Sequence, residues 1–495
     1  MPFSQMIDKI INATIKFTLV LTLEVKMSEF HSREILKAGA LGTYRMHSLF
    51  TRITSSGDLD VAECDRFKFA VALHAHEYTH YLHNLTTRAG LDALTPCFWL
   101  IPYFVRNTDE FGRFTAPNDN DEDGYVSLAF NIMRSCRGAV DMVPKGDKIK
   151  RQRIVEWVIN DPQFEMIELN HDGKRVGSFD KCTVKIIAKS HNSQSTEINL
   201  TPGLDFISEG VAYEVEREQC RLAGIEEKDL DSQTPSYPYL AYRPLVDHFV
   251  GRETTSIERI AIGNYALMSN SPSTYFFELC FTLTKGGLAG DENSKEFFEL
   301  TKEIKANFKK IKSDSITSQI KNNVKGSGWL FKGANLYSSL IERGMALRSQ
   351  WPLMELAFIQ KKLTPNEFRL ITSNLLDHVV CQEKVEPPHK IEWVGSKRND
   401  LISASDSDLQ YLGVLQSSIH YLQQHFTNEG RLGDTAEMPD SACPFDGVCP
   451  LQNSYSNPNL CATKPWQVSI GDGQTKICWY EAGRLSLSSK WNTFY

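Results

Sequence analysis

The chain has 495 residues, 41% hydrophobic and 23% charged, with a formal net charge of -7. That length suits about two to four domains, or one large domain with an appendage, and the composition is ordinary for a soluble globular protein. The charge is mild and no basic run is clustered, which excludes an electrostatic case for nucleic acid as partner.

Residues 1–56 read as an N-terminal segment. "IINATIKFTLVLTLEV" (Ile10 to Val25) is apolar, but Lys16 and Glu24 interrupt it, and it is too short and broken for a membrane span. No small-x-small cleavage site follows clearly, and Met27 offers an alternative start. No stable membrane insertion and a cytoplasmic location are expected, with a targeting segment left open. Seven cysteines from Cys64 to Cys381 stand singly, often in apolar settings such as "TPCFWL", as buried thiols of a reducing compartment do.

Helices are expected over 34–50 and 57–90. In the second, Phe67, Phe69, Ala72, Leu73, His76, His80 and Leu85 recur at helical spacing, with Asp58, Asp60 and Glu63 near its start. Gly90 and Pro96 should break it. Within it "HEYTH", His76 to His80, fits H-E-x-x-H. Residues four apart lie on one helix face, so two imidazoles can share one ion. Glu77 lies about 100° round the helix, where it misses the ion but reaches a water on it as general base. His83 lies on the ligand face one row further on, facing either the metal's surroundings or substrate, and His74 points elsewhere.

The acidic stretch 107–124 lacks the spacing of a calcium-binding loop and reads as solvated. From 164 to 200 the period changes to short β-branched runs with turn signals such as "HDGK", which predicts a small antiparallel sheet. After Pro202-Gly203 a helix is expected through "LDFISEGVAYEVEREQCRLAG", closing at Gly224.

H-E-x-x-H followed by a helix carrying E-G-x-A resembles the glutamate-zincin metallopeptidases. The resemblance covers these two motifs, separated by 128 residues between His80 and Glu209. It implies zinc held by His76, His80 and Glu209, with Glu77 as catalytic base. Three protein ligands leave the open position that a catalytic zinc needs. It also implies that Gly210 and Ala212 are small to let the two helices approach. Some members carry an aspartate four residues after the ligand glutamate; Tyr213 stands there, leaving Asp205 and Glu216 as candidates to orient a histidine. For the oxyanion, "SYPYLAYRPLVDHF" offers Tyr239, Tyr242, Arg243 and His248, of which Tyr242 and Arg243 are preferred.

Helices should dominate 225–426, lining the cleft, with a Lys-rich amphipathic stretch at 294–313 and a proline break at "EKVEPPHK". The last part, 427–495, is Cys-rich: Cys443, Cys449, Cys461 and Cys478 are spaced C-x5-C, x11 and x16. They are candidates for a structural zinc or an iron-sulfur cluster, or are thiols without metal. The expected fold is α+β and predominantly helical, with a zincin-like helix pair in 57–224. The expected function is zinc-dependent hydrolysis of a protein or peptide by limited proteolysis. The alternatives are a metal-dependent hydrolase of another bond, or a binding or regulatory protein with a vestigial site.

Overall fold

The computed structural model describes residues 42–44, 50–53, 69–117, 124–143, 153–171, 174–192, 194–284, 292–325, 328–376, 379–384, 390–395, 406–427, 431–446, 459–468 and 478–489. The apolar segment 10–25 and the acidic residues 58, 60 and 63 lie outside them. The described chain opens with strands Gly42–Tyr44 (β1) and Phe50–Ile53 (β2). Helices Ala70–Thr86 (α1), Arg88–Asn107 (α2) and Tyr125–Arg137 (α3) follow. Then come strands Ala139–Val143 (β3), Ile154–Ile159 (β4), Gln163–His171 (β5), Lys174–Ser190 (β6) and Ser195–Thr201 (β7). Leu204–Leu222 (α4), Tyr239–Val250 (α5), Ser256–Leu267 (α6) and Pro272–Thr282 (α7) are helical. So are Glu292–Lys309 (α8), Ser313–Asn323 (α9), Gly328–Gln350 (α10) and Pro365–Leu375 (α11). Strands Val379–Lys384 (β8) and Lys390–Gly395 (β9) precede helices Asp406–Gln424 (α12) and Trp479–Leu485 (α13).

The fold is predominantly helical with a small antiparallel sheet, as the sequence predicts. That sheet is larger than the segment 164–200 suggests. Its order is β3-β7-β6-β4, with β5 also paired to β6. "KRVGSFD" and "KCTVKIIAK" are one continuous strand, and β5 pairs with it up to His171 opposite Lys174. Cys182, Val184, Ile186 and Ala188 of β6 alternate into the core with Ile198 and Leu200 of β7.

A second sheet, β1-β2-β8-β9, was not foreseen. Residues 42–44 and 50 are strand, not part of a helix over 34–50; the remainder of that range lies outside the described residues. β2 pairs in parallel with β8, so its state is set by chain more than 300 residues away, which local pattern cannot show. This sheet packs on α1 through β1 and β2.

The break after α1 also differs. It falls at Thr87, whose extended backbone ends one helix and whose hydroxyl accepts from the Gly90 N–H that starts the next, at 3.1 Å. α2 then runs through both Gly90 and Pro96. A Cβ on Gly90 would sit 2.2 Å from the His83 carbonyl oxygen, so the glycine permits the tight turn. Burial of Ala93, Leu94, Cys97 and Phe98 holds the helix together around Pro96.

α1 is central: all its residues except His80 are buried, and α4, α2 and α10 pack around it. One hydrophobic core runs from Val71 to Leu487 and includes Cys443, Cys461, Trp466 and Cys478 from the C-terminal segment. That segment docks on α12, where the Ser418 hydroxyl donates to the Gly483 carbonyl at 2.8 Å. No helix among the described residues is long and apolar enough to cross a membrane.

Candidate metal centre

α1 and α4 lie side by side and each presents one face to the other. On α1, His76, His80 and His83 are spaced i, i+4, i+7; on α4, Glu209 and Glu216 are spaced i, i+7. The two faces bring His76 Nε2 to 3.1 Å from His80 Nε2, and Glu209 Oε2 to 3.6 and 3.3 Å from these nitrogens. Among the described residues this is the one group of three or more His, Cys, Asp or Glu side chains whose ligand atoms converge within 4.8 Å.

The donor set fits a metal ion. Ligands about 2.0–2.1 Å from a tetrahedral ion stand about 3.3 Å from one another, which matches these separations. Glu209 Oε2 is buried yet has no hydrogen-bond partner of good geometry, as expected of an atom aimed at a cation. Burial pushes the Glu209 carboxyl up, but His80 and His76 facing it hold it well below the carboxylate range. Burial pushes His76 down, but the Glu209 and Glu216 carboxylates outweigh it and raise this imidazole well above its ordinary value. Each side of the cluster is electrostatically dependent on the other.

Of the two acids offered to orient a histidine, Glu216 is the one beside it, with Oε2 2.7 Å from His76 Nδ1. Asp205 instead lies at the start of α4 in an exposed ion pair with Arg137 at 3.0 Å. Tyr213 donates to Asp231 at 2.7 Å. His80 Nδ1 contacts the Ser208 hydroxyl at 2.8 Å, and His83 Nδ1 contacts the same hydroxyl at 2.8 Å. His83 is fully buried and thus faces no substrate; its Nε2 lies 2.9 Å from Asn264 Oδ1 and 3.4 Å from Glu355 Oε1. Burial, opposed by Glu355 and reinforced by Arg348, pushes His83 down to about 3, so its ring is neutral. His74 packs edge-on against Phe368, outside the ligand group.

Glu77 is 4% exposed, and its Oε2 has no hydrogen-bond partner. Burial pushes its carboxyl up to about 7, against the pull of His76 and His80.

The preferred oxyanion residues are placed otherwise. Tyr242 is fully buried and donates to the Arg259 carbonyl at 2.9 Å. A Cβ on Gly210 would fall 2.1 Å from the Tyr242 ring. The small residue after Glu209 therefore admits this ring from α5 rather than α1, contrary to the expectation from the motif. Arg243 is held by Glu227 and Glu253, with Asp247 at 3.6 Å. His248 is exposed near the far end of α5. Tyr239, at the start of α5, is the member of the window that reaches the cluster: its ring centre is 5.8 Å from that of His76. Burial and the nearby Glu209 and Glu77 carboxylates keep its phenol protonated.

Sequence reasoning missed Ser208, Asn264, Arg348 and Glu355. Asn264 left one trace, a lone amide inside the apolar run "IAIGNYALM". Of the C-terminal cysteines, Cys443, Cys461 and Cys478 are buried, and the Cys443 N–H donates to the Cys461 carbonyl at 2.7 Å. These three do not form a converging ligand group, and Cys449 lies outside the described residues. No protein-family model, curated protein or solved structure matches the chain.

Proposed function

We propose that the chain is a zinc-dependent metallopeptidase of the glutamate-zincin kind. The observation that carries this reading is the convergence of His76, His80 and Glu209 with Glu77 buried at its edge. His76, His80 and Glu209 would hold the ion, which supplies a Lewis acid that acidifies water and polarises a carbonyl. Two imidazoles and one carboxylate suit zinc and leave a position open.

Glu77 would take the proton of the attacking water and return it to the leaving amide nitrogen, as a carboxylate general base does. Tyr239 donates its O–H to the carbonyl oxygen as charge develops there. Glu216 keeps the Nδ1 proton of His76 in place, so that Nε2 presents its lone pair. A partner that enters such a site is an extended protein or peptide segment, and limited proteolysis of an intracellular protein remains the preferred role.

Glu77→Gln tests the reading. It should retain about one zinc per chain while peptide hydrolysis falls by about 10²–10⁴-fold. His80→Ala should lose the zinc. Hydrolysis that survives in Glu77→Gln would remove Glu77 as base, and purified protein without any metal would remove the whole reading. A second metal equivalent that survives His80→Ala and disappears in Cys443→Ala would place a further ion at the C-terminal cysteines.

A further inference from the structure

We propose that Ser208, His83 and Asn264 form a directional hydrogen-bond relay through which the buried Arg348–Glu355 pair sets which nitrogen of His80 carries its proton. The relay deepens the metallopeptidase reading and, in its metal-binding consequence, rests on it.

The direction follows from donor and acceptor chemistry, starting at a group that cannot reverse. Arg348 is fully buried, and its guanidinium has donors only. Its Nη1 donates to Glu355 Oε2 at 2.7 Å and to the Pro352 carbonyl at 2.9 Å, and its Nη2 to Glu355 Oε1 at 2.5 Å. Nε and Nη2 donate to Thr86 Oγ1 at 3.0 and 2.8 Å, which ties the guanidinium to the end of α1. Nη1 also faces Asn264 Oδ1 at 3.4 Å. A rotated Asn264 amide would set N–H against N–H here, so the oxygen stays toward Arg348 and His83.

His83 Nε2 then faces two acceptors, Asn264 Oδ1 at 2.9 Å and Glu355 Oε1 at 3.4 Å. It must carry the proton. A neutral imidazole has one N–H, so His83 Nδ1 is an acceptor. The Ser208 hydroxyl, 2.8 Å away, donates its single hydrogen to that nitrogen. The same oxygen is left to accept from His80 Nδ1 at 2.8 Å. His80 therefore holds its proton on Nδ1, and the lone pair of Nε2 points at His76 and Glu209.

The device differs from the one on His76. There a single carboxylate, Glu216, lies directly against the ring nitrogen. Behind His80 lies a neutral hydroxyl, and it has a defined direction only because its second partner is already committed. Ser208 is a positioning residue on α4, one place before Glu209, and carries no part in the bond-breaking step.

Histidine-selective nitrogen NMR on the metal-free full chain, together with zinc affinity measured against a competing chelator, tests the relay. Wild type should show His80 protonated at Nδ1. Ser208→Ala should lose that bias and bind zinc about 10–100-fold more weakly. Ser208→Thr, which keeps the hydroxyl, should restore both. Asn264→Leu should resemble Ser208→Ala. A merely structural Ser208 would leave the His80 tautomer unchanged. The relay is overturned if wild-type His80 carries its proton on Nε2, or if Ser208→Ala keeps both tautomer and affinity. A wild type that binds no zinc sinks the metallopeptidase reading, while the tautomer still decides the relay.

Discussion

Single residues separate on whether their partners are local. His76 and His80 are legible because both lie on one helix, where spacing alone sets their geometry. Glu209 is legible through its motif. The oxyanion candidates were not separable, because Tyr239, Tyr242, Arg243 and His248 share one window and its orientation depends on what α5 packs against. Gly210 shows where Tyr242 goes: its ring fills the space a Cβ would occupy. Tyr239, three residues earlier, is rotated toward His76. Tyr239→Phe should therefore lower kcat by about 10²–10³-fold while KM changes little. Tyr242→Phe should keep kcat and lose about 1–3 kcal/mol of stability, because the buried Arg259 carbonyl loses its donor. Steady-state kinetics and denaturant melts of the two variants check this, and a kcat loss confined to Tyr242→Phe would reverse the assignment.

At the scale of an element, α1 carries two rows with opposite demands. The ligand row needs lone pairs directed outward, and the row behind it, at His83, needs a neutral ring in a sealed pocket. The first row was readable; the second was not, since Ser208, Asn264 and Glu355 come from three other parts of the chain. The buried row has a pH signature. His83 in the folded protein titrates at about 3, below its unfolded value of about 6.5, so between those values the unfolded chain binds a proton that the folded chain refuses. Stability from this group is full above 6.5 and falls with pH by about 1.4 kcal/mol per unit inside that window. Glu355 is also depressed, but its contribution is lost only below the ordinary carboxylate range, so pH 5 stays clear of it. In metal-free protein, the stability of wild type relative to His83→Gln should drop by about 2 kcal/mol between pH 6.5 and pH 5. Denaturant melts at the two values measure this, and a gap independent of pH would mean that His83 is already charged in the fold.

For the whole molecule, what stayed hidden was distant pairing that leaves no motif. β2 against β8, and the C-terminal segment on α12, join stretches that carry no mark of each other in the sequence. The five-stranded sheet was legible in its centre because its hairpins are local. The same long-range character would give a metal held there a structural role. His76 and His80 sit on α1 and Glu209 on α4, the two helices that pack side by side at the heart of one continuous core. An ion shared between them would favour the folded chain, because 128 residues separate His80 from Glu209 in the unfolded one. Zinc at about 1,000 times its dissociation constant should stabilise the fold by about 4 kcal/mol. Thermal melts should therefore shift down when a chelator is added to wild type, and back up when zinc is restored. Glu77→Gln should behave as wild type, since it keeps all three ligands. His80→Ala should melt low and respond to neither addition. A melt of His80→Ala that still falls with chelator would place a stabilising ion elsewhere in the core, and Cys443→Ala in that background would then have to abolish the response for the C-terminal cysteines to be its ligands.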